Sequence, residues 1–231
     1  MTAISAVLSA CTDWGSLERN PCHDLERRRL TRERREPIDP PRSADVTAII
    51  ARPPGLFSSL IRFLAETGCR QEEAAGLEWR HIDLTSGAVT FAKTKTNRPR
   101  TICLDPTTVR WLSALPRFLG SQAVFWHDGG SRYANVASRF RELVRSAQES
   151  AQESAQKSGT EFQPFRCHDL RHKFAIEQLQ RGRDIYDLSR HLGHSSVKTT
   201  EIYLGHVAGG RTNHGTDTTV FRPVAASQKT K

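Results

Sequence analysis

Residues 26–42 constrain what this chain can fold into more than any other segment. They read ERRRLTRERREPIDPPR, dense in charge, with three prolines and no apolar periodicity. Such a stretch has nothing to bury, and its prolines cannot continue a regular ladder, so it breaks the chain into parts. Any sizeable core must be built from the residues beyond it. The composition fits a basic linker, and the same arginines are suited to lie along a phosphate backbone; both readings stand on this segment alone.

On the N-terminal side, residues 3–11 read as a helix running into Trp14, Gly15, Asn20 and Pro21. On the C-terminal side a compact domain is expected from Ser43, taken as the N-cap of a short helix to Ile50. Phe57, Leu60, Ile61 and Leu64 repeat at helical spacing, and Gly68 can end that helix in a left-handed conformation. Residues 71–79 continue as helical turns carrying Ala74, Ala75 and Leu77. Residues 88–92 and 100–104 are strand candidates joined by a basic turn from Lys93 to Pro99. Asp105 followed by Pro106 predicts a helix start, with Val109, Leu112 and Leu115 on one face.

A further helix is expected from Tyr133 past Val144. Residues 146–157 then repeat SAQE, SAQE, SAQK. These residues favour helix, and Glu153 with Lys157 forms an i,i+4 pair, but nothing larger than alanine is available to bury. The repeat reads as a solvated helix extension or a loop. From His168 the pattern is helical through Leu179 to Gly182, then a short helix carries Ile185 and Leu188 to Leu192. Ser195 or Ser196 can cap a last helix holding Ile202 and Tyr203. The fold class predicted is α+β, mainly α-helical with a small antiparallel β-sheet.

A net charge of +9 favours an anionic partner without choosing between nucleic acid, membrane surface and acidic protein. No apolar run reaches bilayer-spanning length, and Met1 is not followed by a secretion signal. The five cysteines are scattered and form no CxxC pair, so neither a disulfide framework nor a zinc site is indicated. A cytoplasmic protein is expected.

Three segments carry the chemistry. The first runs Thr67, Gly68, Cys69, Arg70, Gln71, Glu72, Glu73, with Leu77, Trp79 and Asp83 following. The second runs His168, Asp169, Leu170, Arg171, His172, Lys173, Phe174, Ala175. The third runs Leu192, Gly193, His194, Ser195, Ser196, then Thr199, Thr200, Glu201, Ile202, Tyr203. A phosphodiester is shielded by its charge, and two guanidiniums can neutralise its non-bridging oxygens through paired hydrogen bonds. Arg70 and Arg171 suit that work, and Tyr203 could serve as a nucleophile if activated. Each residue alone has a plainer reading, as a surface arginine, a core tyrosine or an exposed acid.

In order, spacing and local structure, these segments resemble the signature boxes of tyrosine recombinases, the phage integrase family, from about Ser43 to His206. The resemblance implies the DNA breaking-rejoining catalytic fold and a site-specific recombinase, or integrase, acting through a 3'-phosphotyrosyl intermediate on Tyr203. It implies that Arg70 and Arg171 grip the scissile phosphate and that His168 accepts or shares the phenol proton. His194 would donate a hydrogen bond to the phosphate, and Lys95 would protonate the leaving 5'-oxygen. Lys93, two residues away, is the other lysine open to that last role.

Glu73 could orient Arg70 or a neighbouring histidine, or be an exposed acid. His172 is expected to point away from the site, because consecutive helical residues face different ways. His191 and His194 lack a carboxylate or cysteine at metal-ligand spacing, and no cofactor or metal is implied.

The resemblance also implies double-stranded DNA as partner, a tetramer of two dimers on that DNA, possible accessory DNA-bending proteins, and a nucleoid-associated location for a phage or mobile-element enzyme. Such proteins typically carry a helical core-binding domain ahead of the catalytic one. Here residues 1–25 read as a remnant of that domain's last helix, 26–42 as linker, 43–210 as catalytic domain and 211–231 as a flexible tail. A truncated gene, a misassigned start or a fragment are the readings this suggests. Two other readings stand beside this one: a strand transferase like the type IB topoisomerases, which share this chemistry, and a catalytically inactive remnant that holds DNA only through phosphate contacts. A nuclease finds no carboxylate cluster to hold its metal ions.

Overall fold

The structure is a computed structural model, and it describes residues 2–22, 38–52, 55–92, 99–158 and 162–207, without the side chains of residues 2, 3 and 153–158. The chain divides between Ile38 and Asp39 into two compact units. In the first, helix α1 (Thr2–Asp13) is followed by a turn at Gly15. The Asn20 amide closes that turn, donating to the Ser5 carbonyl at 2.9 Å and to Ser9 Oγ at 2.7 Å.

In the second unit the helices are α2 (Ser43–Ile50), α3 (Leu56–Thr67), α4 (Gln71–Ala75), α5 (Pro106–Ser113), α6 (Val136–Ser158), α7 (Asp169–Gln180), α8 (Ile185–Leu192) and α9 (Lys198–Glu201). Strands β1 (Ile82–Asp83), β2 (Ala88–Phe91) and β3 (Arg100–Cys103) form an antiparallel sheet in that order. A two-stranded ribbon pairs β4 (Trp126–His127) with β5 (Ser131–Arg132). The mainly helical α+β class expected from the sequence is the one found. Among the described residues no helix is long and apolar enough to cross a membrane.

Helix α3 is the centre of the core. Its predicted apolar face, Phe57, Leu60, Ile61 and Leu64, is buried, and so are Leu56 and Phe63. It packs against α2, α4, α7 and β4, which leaves little of its surface for water. Each such side chain contributes roughly 1.5–3 kcal/mol on burial. Phe63 meets Phe125 with ring centroids 5.5 Å apart, joining the helix to the strand ribbon. Helix α5 begins as expected, with the Asp105 carboxylate accepting from Thr107 N at 2.9 Å and Pro106 opening the first turn.

Several local expectations need correcting. Ser43 is the first helical residue of α2 and not its cap. Arg42 holds the cap position in an extended conformation, and its guanidinium pairs with Asp45 at 2.6 Å, while the Ser43 hydroxyl accepts from Lys173 Nζ at 2.8 Å. The helix expected over 71–79 stops at Ala75, and residues 79–81 form a 3-10 turn. Tertiary pairing overrides propensity there: Val124 N donates to Leu77 O at 3.0 Å and Trp79 N to Gln122 O at 3.0 Å, drawing the chain out straight.

The helix expected from Tyr133 begins at Val136, after Asn135 at φ 54°. Its SAQ repeat is helical to Ser158, with Ala147 buried and Ala151 partly so. A four-residue repeat drifts about 40° per step around a helix, which is why Ala151 is less buried than Ala147. Tyr203 does not lie within the last helix. α9 ends at Glu201, and Tyr203 precedes a 3-10 turn, Leu204–His206.

Candidate active site

The site starts from the end of α3. Gly68 adopts φ 61°, its N–H donating to Leu64 O at 2.9 Å, and this left-handed residue turns the chain back toward α4. Arg70 emerges in an extended conformation at the cap of α4. Its backbone N–H donates to Glu73 Oε2 at 2.8 Å, so the glutamate three residues on closes the helix start. The same carboxylate accepts from Arg70 Nη1 at 3.1 Å, while Arg70 Nη2 donates to the Gly193 carbonyl at 2.9 Å.

Arg171, on α7, is buried and seated on two carbonyls: Nη1 donates to Gly68 O at 2.8 Å and Nη2 to Leu192 O at 2.7 Å. Segments far apart in sequence therefore meet at the paired carbonyls of Leu192 and Gly193, where α8 ends with Gly193 at φ 69°. His194 follows directly, its Nδ1 within 2.8 Å of Thr200 Oγ1.

His168 caps the start of α7, and His172 lies one turn along the same face, their rings 4.7 Å apart and edge-on. His172 Nδ1 is 2.9 Å from the Tyr203 hydroxyl. The expectation that His172 points away is therefore wrong. The residue that matters to it is not its neighbour Arg171 but His168, four positions earlier, and i,i+4 partners do share a face. Tyr203 itself is 2% exposed.

Glu73, for which two readings were open, is buried between two guanidiniums. Arg100 contributes the second, with Nη1 on Oε1 at 2.5 Å and Nη2 on Oε2 at 2.8 Å. Sequence reasoning missed Arg100. The signal available was its cross-strand register opposite Phe91, whose ring the guanidinium overlies at 4.6 Å. His191 Nε2 donates to the Thr67 carbonyl at 2.8 Å, and its Nδ1 accepts from Arg183 Nη2 at 3.1 Å. Among the described residues no group of three or more His, Cys, Asp or Glu is placed to hold a metal ion. Lys95 and Lys93 fall in 93–98, outside the described residues.

Three arginines against one carboxylate leave this region positive. Burial, reinforced by Arg171, Arg70 and Arg100, pushes the His194 pKa down to about 4. Burial and His168 do the same to His172, to about 4, and burial with Arg171 lowers His168. At neutral pH these imidazoles are uncharged, each able to donate with one nitrogen and accept with the other. Burial and the nearby Arg70 lower Arg171 to about 10, which leaves it cationic. Burial raises the Tyr203 phenol above its ordinary value, with Arg171 offsetting part of the effect. For Glu73 burial acts upward, but the Arg100 and Arg70 hydrogen bonds and charges outweigh it and the net shift is downward. The arrangement can bind an anion between fixed guanidiniums, with neutral histidines beside it and a protonated phenol in reserve.

Comparisons with known proteins bear on the family and the fold. Residues 54–208 match the model of the phage integrase family. The chain is 25% identical over 225 residues to the ICEBs1 integrase of Bacillus subtilis (strain 168), covering 90% of this chain and 60% of that one. It is 27% identical over 212 residues to tyrosine recombinase XerC of Yersinia pestis, covering 88% and 66%. The chain thus spans less than two thirds of the length of these relatives. Among solved structures it resembles the Tn1549 transposon integrase in complex with transposon right end DNA, with a TM-score of 0.66, 18% identity and coverage of 86% and 71%. XerA recombinase superposes with a TM-score of 0.56, 22% identity and coverage of 75% and 64%. The fold is shared with these enzymes, and the family match over most of the folded unit establishes that this chain belongs to the phage integrase family.

Proposed function

We propose that this chain is the catalytic portion of a site-specific DNA recombinase that cuts and rejoins double-stranded DNA through Tyr203, without a cofactor. The observation that carries the reading is the seating of Arg70 and Arg171 on the adjacent carbonyls of Gly193 and Leu192, with His194 the next residue. Two guanidiniums held side by side fit the two non-bridging oxygens of a phosphodiester, and they do so without reorganising when charge builds up in the transition state.

On this reading the Tyr203 oxygen forms a bond to phosphorus as the bond to the 5'-oxygen breaks. The phenol proton passes to a neutral histidine. His168 has that role in the family scheme, and His172 is the one now against the hydroxyl. The departing 5'-oxygen takes a proton from Lys95, or from Lys93 if the turn is used differently. His194 donates to the phosphate. A bound phosphate offsets the arginine charge that depresses the histidines, so substrate itself makes them better proton carriers. The buried Tyr203 hydroxyl must exchange its His172 partner for the phosphate before it can attack. A 5'-hydroxyl from another strand reverses the step, which conserves the bond energy for rejoining. Assembly as a tetramer of two dimers on DNA, with or without DNA-bending proteins, and action on nucleoid DNA in the cytoplasm, belong to the same proposal.

The test needs no knowledge of the target site. The protein is incubated with supercoiled plasmid in EDTA, quenched with detergent and assayed for covalent protein–DNA adduct, alongside Tyr203→Phe. An adduct that forms without metal and disappears in the variant is the expected result. No adduct, even with an upstream helical domain supplied, leaves a DNA-binding remnant, recognisable by steeply salt-dependent affinity that Tyr203→Phe does not change.

A further inference from the structure

We infer that Arg100 is a positioning residue, which fixes where the Arg70 guanidinium stands by holding Glu73 and the 191–193 segment, the two parts of the chain that carry the groups Arg70 is bonded to. The inference rests on the proposed role of Arg70 at the scissile phosphate. Arg70 has two side-chain anchors, Glu73 Oε1 and the Gly193 carbonyl. Arg100 grips the first with both Nη atoms, at 2.5 and 2.8 Å. It grips the segment carrying the second through Nε, which donates to the His191 carbonyl at 2.9 Å. Its side chain also lies so close to Gly193 that a Cβ there would stand 3.0 Å from Arg100 Cδ and 3.1 Å from Nε and Nη1.

Arg100 is not itself placed to hold a phosphate. Its side chain is 11% exposed, all three of its nitrogens are engaged, and one face of the guanidinium is covered by Phe91. What it does instead is transmit the position of strand β3 to the arginine pair, since the 191–193 segment also seats Arg171 through Leu192 O. A planar fork is required. The single ammonium of a lysine cannot engage two carboxylate oxygens and a carbonyl at once in this geometry.

Arg100→Lys keeps the charge and breaks the fork. The first measurement is NMR of the arginine side chains, with the Arg70 signals assigned from Arg70→Lys. In the wild type the Arg70 Nη protons should be resolved by slow rotation about the Nε–Cζ bond, and in Arg100→Lys they should average. The second is the plasmid assay at saturating protein, where adduct formation should slow on the order of 10–100-fold, the scale of an ångström-level misplacement. DNA affinity should stay within about twofold, because phosphate contacts elsewhere dominate it. Unchanged Arg70 signals in a folded Arg100→Lys protein overturn the inference, and so does loosened Arg70 with an undiminished adduct rate. If wild type itself forms no adduct, even with an upstream helical domain supplied, the proposed function fails and the NMR comparison alone decides the role of Arg100. Should Arg100→Lys not fold, Phe91→Leu carries the same NMR test: it removes the stacked ring and none of the donors, and Arg70 signals as sharp as in wild type would again overturn the inference.

Discussion

Gly68→Ala should be among the most damaging single-methyl additions in this protein. Gly68 stands at φ 61°, and a Cβ built there lies 2.4 Å from Phe174 Cδ1 and 2.8 Å from Cγ. Placing an L-residue in the left-handed region costs roughly 1–2 kcal/mol. Forcing a methyl into a packed ring adds about 1–3 kcal/mol. Against these, alanine restricts the unfolded chain and returns about 0.4–1 kcal/mol. The net is a destabilisation of roughly 1–5 kcal/mol, or a fall in Tm on the order of 2–20 °C for a unit of this size. Urea unfolding followed by circular dichroism measures it directly. The two contributions separate in a double-mutant cycle with Phe174→Leu, which removes the ring the methyl strikes. The steric part, about 1–3 kcal/mol, should then be recovered as coupling between the two positions. A Gly68→Ala protein within ~0.5 kcal/mol of wild type, or a cycle with no coupling, would falsify the reasoning. Because the Gly68 carbonyl seats Arg171 at 2.8 Å, the same substitution should also depress adduct formation.

Glu73→Ala leaves the buried Arg100 without its carboxylate and should cost about 3–5 kcal/mol in urea unfolding; a loss below about 1 kcal/mol would mean water compensates the guanidiniums easily. His172→Phe deprives the buried Tyr203 hydroxyl of its acceptor and should destabilise by about 1–3 kcal/mol, whereas His172→Asn can present a carbonyl oxygen and should cost less. Equal losses in the two variants would show that the hydrogen bond contributes little. His172, His191 and His194 all have folded pKa values near 4, below the ordinary 6.5. The unfolded chain therefore binds more protons, and stability present above about pH 6.5 should fall as pH drops toward about 4. Urea midpoints that stay flat across that window would contradict the shifts.

Much of the site is legible in the sequence. Gly68 as a left-handed helix end, Asp105 with Pro106 as a helix start, and the alternation to two strands all come from local physics that acts within a few residues. The three chemical segments can be read as a set because guanidinium pairs, histidines and a tyrosine make sense together around a phosphodiester. The proximal pairings within a helix are also within reach: His168 and His172 are four apart, and their contact needs only the helical period. Long-range packing decides the rest, and no local pattern carries it. Leu77 and Trp79 leave the helix because the 122–124 segment offers hydrogen bonds. Glu73 becomes a bridge instead of an exposed acid because β3 delivers Arg100 across 27 residues to its other side. Tyr203 is buried against His172 because the turn after α9 folds onto α7, a contact between positions 31 apart. By itself the sequence determined which side chains were available and where the helices could end. Only the tertiary structure decided which carbonyls seat the arginines and which histidine meets the tyrosine, since hydrogen-bond partners distant in the chain become neighbours only once the core has closed.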